Sequence, residues 1–211
     1  SVPAPRNAAG TLEPPRERQA MSLITRRSFL RTGGAGLISV GGLGGYAMGI
    51  EPGLMLGVTS YAPRIPAWPA DFPLRIAVLA DIHACEPWMS ASRIRDICIR
   101  ANALKPDITV LLGDFTGGHN VVNGAGMPDQ WGEALSVLRA PLGVYSILGN
   151  HDWWHGALPR LRGDEGESVR KALKAAHITV LENQALRLEA HGRPFWLLGL
   201  ADQMAVRISR G

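Results

Sequence analysis

Three short apolar runs, each ending abruptly in a polar cluster, leave this chain few ways to fold. Leu74–Leu79 runs into Ala80-Asp81-Ile82-His83, Ile108–Leu112 into Gly113-Asp114, and Val144–Leu148 into Gly149-Asn150-His151-Asp152. Runs this short, rich in Val, Ile and Leu and bounded by Gly or Pro, read as strands buried on both faces. Asp114 lies 33 residues after Asp81 and 36 before Asn150, a spacing that fits repeated strand–helix–strand units. In open α/β sheets, ligands bind outside the carboxyl ends of the strands. Asp81, His83, Asp114, Asn150 and His151 are therefore expected at one edge of one sheet.

Carboxylate, imidazole and amide oxygens suit Mn, Fe or Zn better than a thiolate-seeking ion. Asp81 and His83 alternate along a strand exit, so both face one metal while Ile82 faces the core. A carboxylate at Asp114, on a strand between the other two, is placed to bridge two cations. Asn150 offers a neutral oxygen to the second. Two cations roughly 3.5–4 Å apart clamp a transferring phosphoryl group, and they lower the pKa of a shared water so that hydroxide is available near neutral pH.

Asp-x-His, Gly-Asp and Gly-Asn-His-Asp, in this order and each after an apolar run, resemble the motifs of the calcineurin-like metallophosphoesterases. The resemblance covers about Leu74 to the C-terminus. It implies an α/β fold, a two-sheet β sandwich flanked by helices. It also implies two divalent metal ions, with Mn favoured over Fe or Zn. Asp81 and His83 would hold one metal, Asp114 would bridge, and Asn150 would hold the other. His151 is implied as the catalytic histidine that touches the phosphate and helps protonate the leaving oxygen. Beside it, Asp152 reads from its position as a group that orients His151. Two further family elements, a lone His after a later strand and a terminal Gly-His-x-His, have no match before Gly211. The expectation is a C-terminally truncated domain whose second sheet is incomplete, weakly active or inactive by itself. The unassigned His119, His155, His177 and His191 lie outside the required context.

Formal net charge is +4, but residues 1–51 carry six arginines against three acidic residues, and the remainder carries 16 basic against 15 acidic. The basic excess sits in the leader, so no nucleic-acid partner is expected. Residues 1–20 lack apolar periodicity and read as a disordered or non-native extension before Met21. Residues 21–51 pair Arg26-Arg27 with a Gly-rich, weakly apolar run, and Arg-Arg-x-Phe-Leu resembles a twin-arginine export signal. A retained membrane anchor is the other reading. Both send the protein by the twin-arginine machinery to the periplasm or the outer face of the cytoplasmic membrane. Residues 52–73, with Pro63, Pro66, Pro69 and Pro73 between aromatics, read as an extended linker lying on the domain at 74–211.

Within that domain, Ser90 or Ser92 caps a helix to Leu104, with Ile94, Ile97, Cys98, Ala101 and Leu104 on one face. Cys98 on that face argues against a disulfide with Cys85. Phe115–Pro128 is a loop in which His119 either contacts substrate or is solvated. Trp131, Leu135 and Leu138 mark a helix, and His151–His155 a loop whose Trp153 and Trp154 either line the pocket or cover the sheet edge. Glu167–Ala176 is a helix. Thr179–Glu182, Ala185–Glu189 and Phe195–Leu200 read as antiparallel strands, with a hairpin turn at Ala190–Arg193.

The function these expectations support is hydrolysis of a phosphodiester, in the branch that resembles twin-arginine-linked bacterial phosphodiesterases, with an envelope lipid or UDP-diacylglucosamine-type substrate. The rival is a non-catalytic chain: an unclosed fragment, or a partner-binding module using the aromatic linker.

Overall fold

The computed structural model of the chain describes residues 25–51, 55–117, 127–154 and 165–203. The chain divides into two compact units, Ser1–Ala47 and Met48–Gly211.

In the first unit, Thr25 caps helix α1, Arg26–Gly45, by accepting from the Ser28 amide at 3.2 Å. None of its residues is buried: Phe29, Leu30, Leu37, Ile38, Val40 and Leu43 all face outward. Among the described residues, no helix is long and apolar enough to cross a membrane.

The second unit is built on a four-stranded parallel sheet: β1 (Ile76–Leu79), β2 (Ile108–Leu111), β3 (Val144–Ser146) and β4 (Thr179–Val180), in that order across the sheet. Strands and crossover helices alternate along the chain. After β1 comes α2 (Ala91–Ala103), after β2 comes α3 (Pro128–Leu135), and after β3 come α4 (Asn150–Trp154) and α5 (Glu167–Ala175). Crossovers of this kind are what a parallel sheet requires. Ser90 caps α2 by accepting from the Arg93 amide at 3.3 Å, worth about 1 kcal/mol. Ile94, Cys98 and Ala101 on α2 are buried, whereas Leu104 is the C-cap and leaves the core face. Both cysteines are free and buried.

The helix-covered face carries the main core. Leu79, Leu111 and Leu148 from the strands and their exits meet Ile94, Trp131, Leu135, Val169 and Leu173 from the helices. Phe115 and Trp131 stack there with ring centroids 5.2 Å apart. Gly132 lets α3 approach α5 closely, since a Cβ there would stand 3.0 Å from that of Ala172.

The opposite face is covered by an antiparallel hairpin, β5 (Gln184–Ala190) and β6 (Arg193–Gly199). Its turn is His191-Gly192, both at positive φ (51° and 75°), as a two-residue type I′ connection demands. Leu186, Leu188 and Leu197 pack against Ile108, Tyr145 and Leu181. The alternate positions Trp196 and Leu198 point outward, and Ile76 and Val78 of β1 are also exposed. The second sheet therefore has two strands among the described residues.

One strand assignment is corrected. Thr179–Val180 does not join the antiparallel set; it pairs parallel with β3, Tyr145 opposite Thr179 and Ser146 opposite Val180. It follows the helix α5, so it returns in the direction of β3 as a strand–helix–strand unit does. The stretch Trp68–Phe72 lies on the hairpin. Trp68 stacks on Phe72 (5.1 Å between centroids), both meet Phe195 edge-on, and Arg193 forms two hydrogen bonds with Asp71.

Candidate metal centre

The three polar clusters do meet at one edge, at the carboxyl ends of β1, β2 and β3. Past the last ladder bond of the first two strands, their exits continue side by side. The Asp81 amide donates to the Gly113 carbonyl (3.2 Å), His83 to Asp114 (2.9 Å) and Ala84 to Phe115 (2.8 Å). Asp81 and His83 share one side, but not through the strand pleat that the alternation suggested. β1 ends at Leu79, and Asp81, His83 and Asp114 all take left-handed backbone, with φ of 53°, 43° and 58°. Ile82 between them is buried in the core. Non-glycine residues at positive φ are uncommon and cluster at functional sites.

One ligand atom from each of Asp81, His83 and Asp114 lies within 4.8 Å of the others. The Nε2 of His83 is 4.0 Å from Oδ1 of Asp81, and its Nδ1 is 3.1 Å from the Thr116 carbonyl oxygen. A carbonyl only accepts, so Nδ1 donates to it, and Nε2 is the ring nitrogen turned toward the Asp81 carboxylate. Two carboxylates and an imidazole so oriented suit a divalent cation of the Mn, Fe or Zn kind.

Asn150 and His151 open α4. The His151 amide donates to Oδ1 of Asp114 (2.9 Å), and the imidazole of His151 stands edge-to-face with that of His83, ring centroids 4.9 Å apart. Residues 150–154 are helical rather than the loop expected for His151–His155. This single turn carries Asn150 and His151 to the Asp114 side of the centre.

The edge is held by a residue whose role the sequence reading misassigned. Asp152 is fully buried and does not orient the His151 ring. Its Oδ1 accepts from the amides of Phe115 (2.8 Å) and Thr116 (3.2 Å), its Oδ2 from those of Asp114 (2.8 Å) and Gly149 (2.9 Å). One carboxylate thus staples the exit of β2 to the exit of β3. Burial pushes its pKa up to about 6, against the pull of the four amides. The legible signal was local. With Gly149 as N-cap, Asp152 is the third helical residue, and a carboxylate there reaches back to the cap amide as one half of a capping box. Its three bonds across the sheet, 36 to 38 residues away, have no local signal.

The two glycines of the motifs are steric requirements. Gly113 has φ +89°, and a Cβ on it would overlap the Gly149 amide nitrogen; a Cβ on Gly149 would overlap the Asp114 carboxylate. Thr116 adds a further tie, its hydroxyl donating to the His151 carbonyl at 2.7 Å.

Of the other candidate residues, Trp153 packs against the core with the Arg170 guanidinium over its ring, 4.7 Å from the centroid. His191 sits in the hairpin turn and contacts Phe72 edge-on, and His177 follows α5 at positive φ. His119 and His155, and the side chain of Trp154, lie outside the described residues.

Comparison with known proteins agrees with this geometry. Residues 74–200 match the family model for calcineurin-like phosphoesterases. The phosphodiesterase YaeI of Escherichia coli is 30% identical over 183 residues, 87% of this chain and 63% of that protein. The uncharacterized metallophosphoesterase YkuE of Bacillus subtilis is 29% identical, over 87% of this chain and 62% of its own length. The UDP-2,3-diacylglucosamine pyrophosphatase LpxG of Chlamydia trachomatis is 33% identical over 51% of this chain and 31% of that protein. The chain spans less than two thirds of the length of each of these three relatives.

Proposed function

The chain belongs to the calcineurin-like phosphoesterase family, and from that premise we propose that it is a metal-dependent phosphodiesterase of the cell envelope, acting on a lipid-linked phosphodiester of the UDP-diacylglucosamine type. The observation that carries the reading is the convergence of Asp81, His83 and Asp114, whose ligand atoms lie within 4.8 Å of one another. Asp81 and His83 would hold one divalent ion, Asp114 would be shared between two, and Asn150 would serve the second. Bound there, divalent cations neutralise phosphate charge and lower the pKa of water.

The chain's own residues do the rest. His83 is oriented by the Thr116 carbonyl, to which its Nδ1 donates. His151, fixed through its amide to Asp114, presents an imidazole beside His83 and delivers a proton to the leaving oxygen. Asp152 sets the spacing between the Asp114 and His151 segments. Envelope placement rests on Arg26-Arg27 and on α1, whose apolar side chains are all turned outward. The lipid-linked substrate rests on that placement and on the similarity to the UDP-2,3-diacylglucosamine pyrophosphatase LpxG.

The test is hydrolysis of bis(p-nitrophenyl) phosphate with and without Mn²⁺. In the full-length protein we expect Mn²⁺-dependent turnover that Asp114→Asn abolishes while the thermal transition survives. Turnover by Asp114→Asn within twofold of the parent sinks the assignment.

A further inference from the structure

Helix α4 carries Asn150 and His151, yet it is only five residues long. A helix this short does not hold its own position. The Asp152 staple fixes it on the side of β2. What fixes the other side is Arg170, on α5.

The guanidinium of Arg170 is immobilised by three hydrogen bonds. Nε and Nη2 donate to the two carboxylate oxygens of Glu182, both at 2.8 Å, and Nη1 donates to the Glu165 carbonyl at 2.7 Å. Its Cζ lies over the Trp153 ring, 4.7 Å from the centroid. Trp153 is two residues from His151 on the same helix. Just before α5, Gly166 packs closely on the same turn: a Cβ on it would stand 3.3 Å from Leu148 and 3.4 Å from the Asp152 carbonyl oxygen. Glu182 follows β4, the strand paired with β3. Arg170 therefore ties the α4 turn to α5 and to the sheet edge beyond β3 at once.

We propose that Arg170, held by Glu182 and Glu165 and laid on Trp153, is a positioning residue that sets the place of the Asn150–His151 turn against Asp114 and His83. The proposal deepens the phosphodiesterase reading and rests on it for its kinetic arm. The side chain touches neither substrate nor metal. It acts through Trp153, and an error in where that turn sits is transmitted to the His151 ring. A bidentate, stacked guanidinium is not replaceable by lysine, whose ammonium is a point charge without a planar fork.

The experiment uses the full chain with Arg170→Leu, Arg170→Lys and Glu182→Gln, and Arg193→Ala as the control. Arg193 also makes a two-bond pair with a carboxylate, but at the hairpin, away from the strand exits. Three quantities are read: the carbon–proton resonance of the His151 imidazole, kcat and KM for bis(p-nitrophenyl) phosphate with Mn²⁺, and the melting temperature. Displacing a reacting group by a fraction of an ångström to 1 Å costs ~10–100-fold in rate. Arg170→Leu and Arg170→Lys should lower kcat in that range with KM within twofold and move the His151 resonance. Glu182→Gln should do so to a smaller degree. Arg193→Ala should leave kcat and the resonance where they are. An unmoved His151 resonance in Arg170→Leu overturns the proposal, as does a kcat loss that Arg170→Lys fully restores. If the parent chain shows no Mn²⁺-dependent hydrolysis, it is the phosphodiesterase reading that fails. The His151 resonance then decides the clamp alone, moved in Arg170→Leu and unmoved in Arg193→Ala if it holds.

Discussion

Two of the ties between distant segments of this chain, one at the strand exits and one at the hairpin, differ in kind. At the strand exits, one buried carboxylate, Asp152, takes four backbone amides from two crossings, and two glycines stand where no side chain fits. At the hairpin, the Asp71–Arg193 pair lies in solvent, its side chains 68% and 48% exposed, beside a small aromatic stack. The first tie is steep, because removing its acceptor strands two fully buried amides along with two half-buried ones. The second is graded: each aromatic contributes by the area it buries, and the ion pair is screened. Precision is thus concentrated where chemistry is proposed, while the hairpin is held by contacts that tolerate change.

The largest effect should come from Asp152. Asp152→Ala takes the acceptor from four amides, those of Phe115 and Thr116 buried and those of Asp114 and Gly149 half-buried, a loss of about 4 kcal/mol, a large share of the stability of an ordinary domain. Asp152→Asn is the sharper test. The amide keeps one oxygen but aims its NH2 at two backbone N–H groups, so the loss should still be at least ~2 kcal/mol. Urea unfolding measures both, and an Asn variant as stable as the parent would remove the staple from the account.

Next comes Phe72, 4% exposed between Trp68 and the hairpin. Phe72→Ala should cost about 3 kcal/mol with no change in metal affinity by titration calorimetry, because the aromatic stack does not reach the strand exits. Loss of metal affinity there would erase the contrast between the two ties.

Arg193→Ala should be the smallest, a shift in melting temperature near the limit of detection. Its sign with pH is fixed. The hydrogen bond from Arg193 holds the Asp71 carboxyl below its ordinary value of 3.8. Whatever the pair contributes is therefore fully present above 3.8 and disappears as pH falls through the lowered value. Parent and variant melting curves should converge in acid, and a difference that grows there would contradict the pairing.

An internal gauge of opening exists in Cys98, fully buried on α2, whose thiol is pushed by burial to about 12. It should resist alkylation in the native chain at pH 8, and react in step with global unfolding in the Asp152 variants.

Much of this was written locally. The three apolar runs are strands because they are short, branched and bounded, and their polar ends meet because parallel strands put all carboxyl ends at one edge. The His191-Gly192 turn and a serine cap at Ser90 or Ser92 follow from neighbours within four residues, and the structure selects Ser90. Other features depended on partners far along the chain. Thr179–Val180 looks like any short strand, and its parallel pairing with β3 depends on where α5 lays it down. Asp152 sits in a motif that invites a role beside His151, but its partners Asp114, Phe115 and Thr116 become neighbours only when β2 and β3 pair. The left-handed backbone of Asp81, His83 and Asp114 has only a weak propensity signal, the modest enrichment of Asp and His at positive φ, and is held by hydrogen bonds between two strand exits. Arg170 reads as one more charge on an amphipathic helix until Trp153 and Glu182 are brought to it. The sequence by itself determined the three strands that lead into the site and the helices α2, α3 and α5, and it nominated the candidate ligands. Only the tertiary structure decided their spacing, because spacing is set by hydrogen bonds and steric exclusions between residues more than 30 positions apart, which no local pattern encodes.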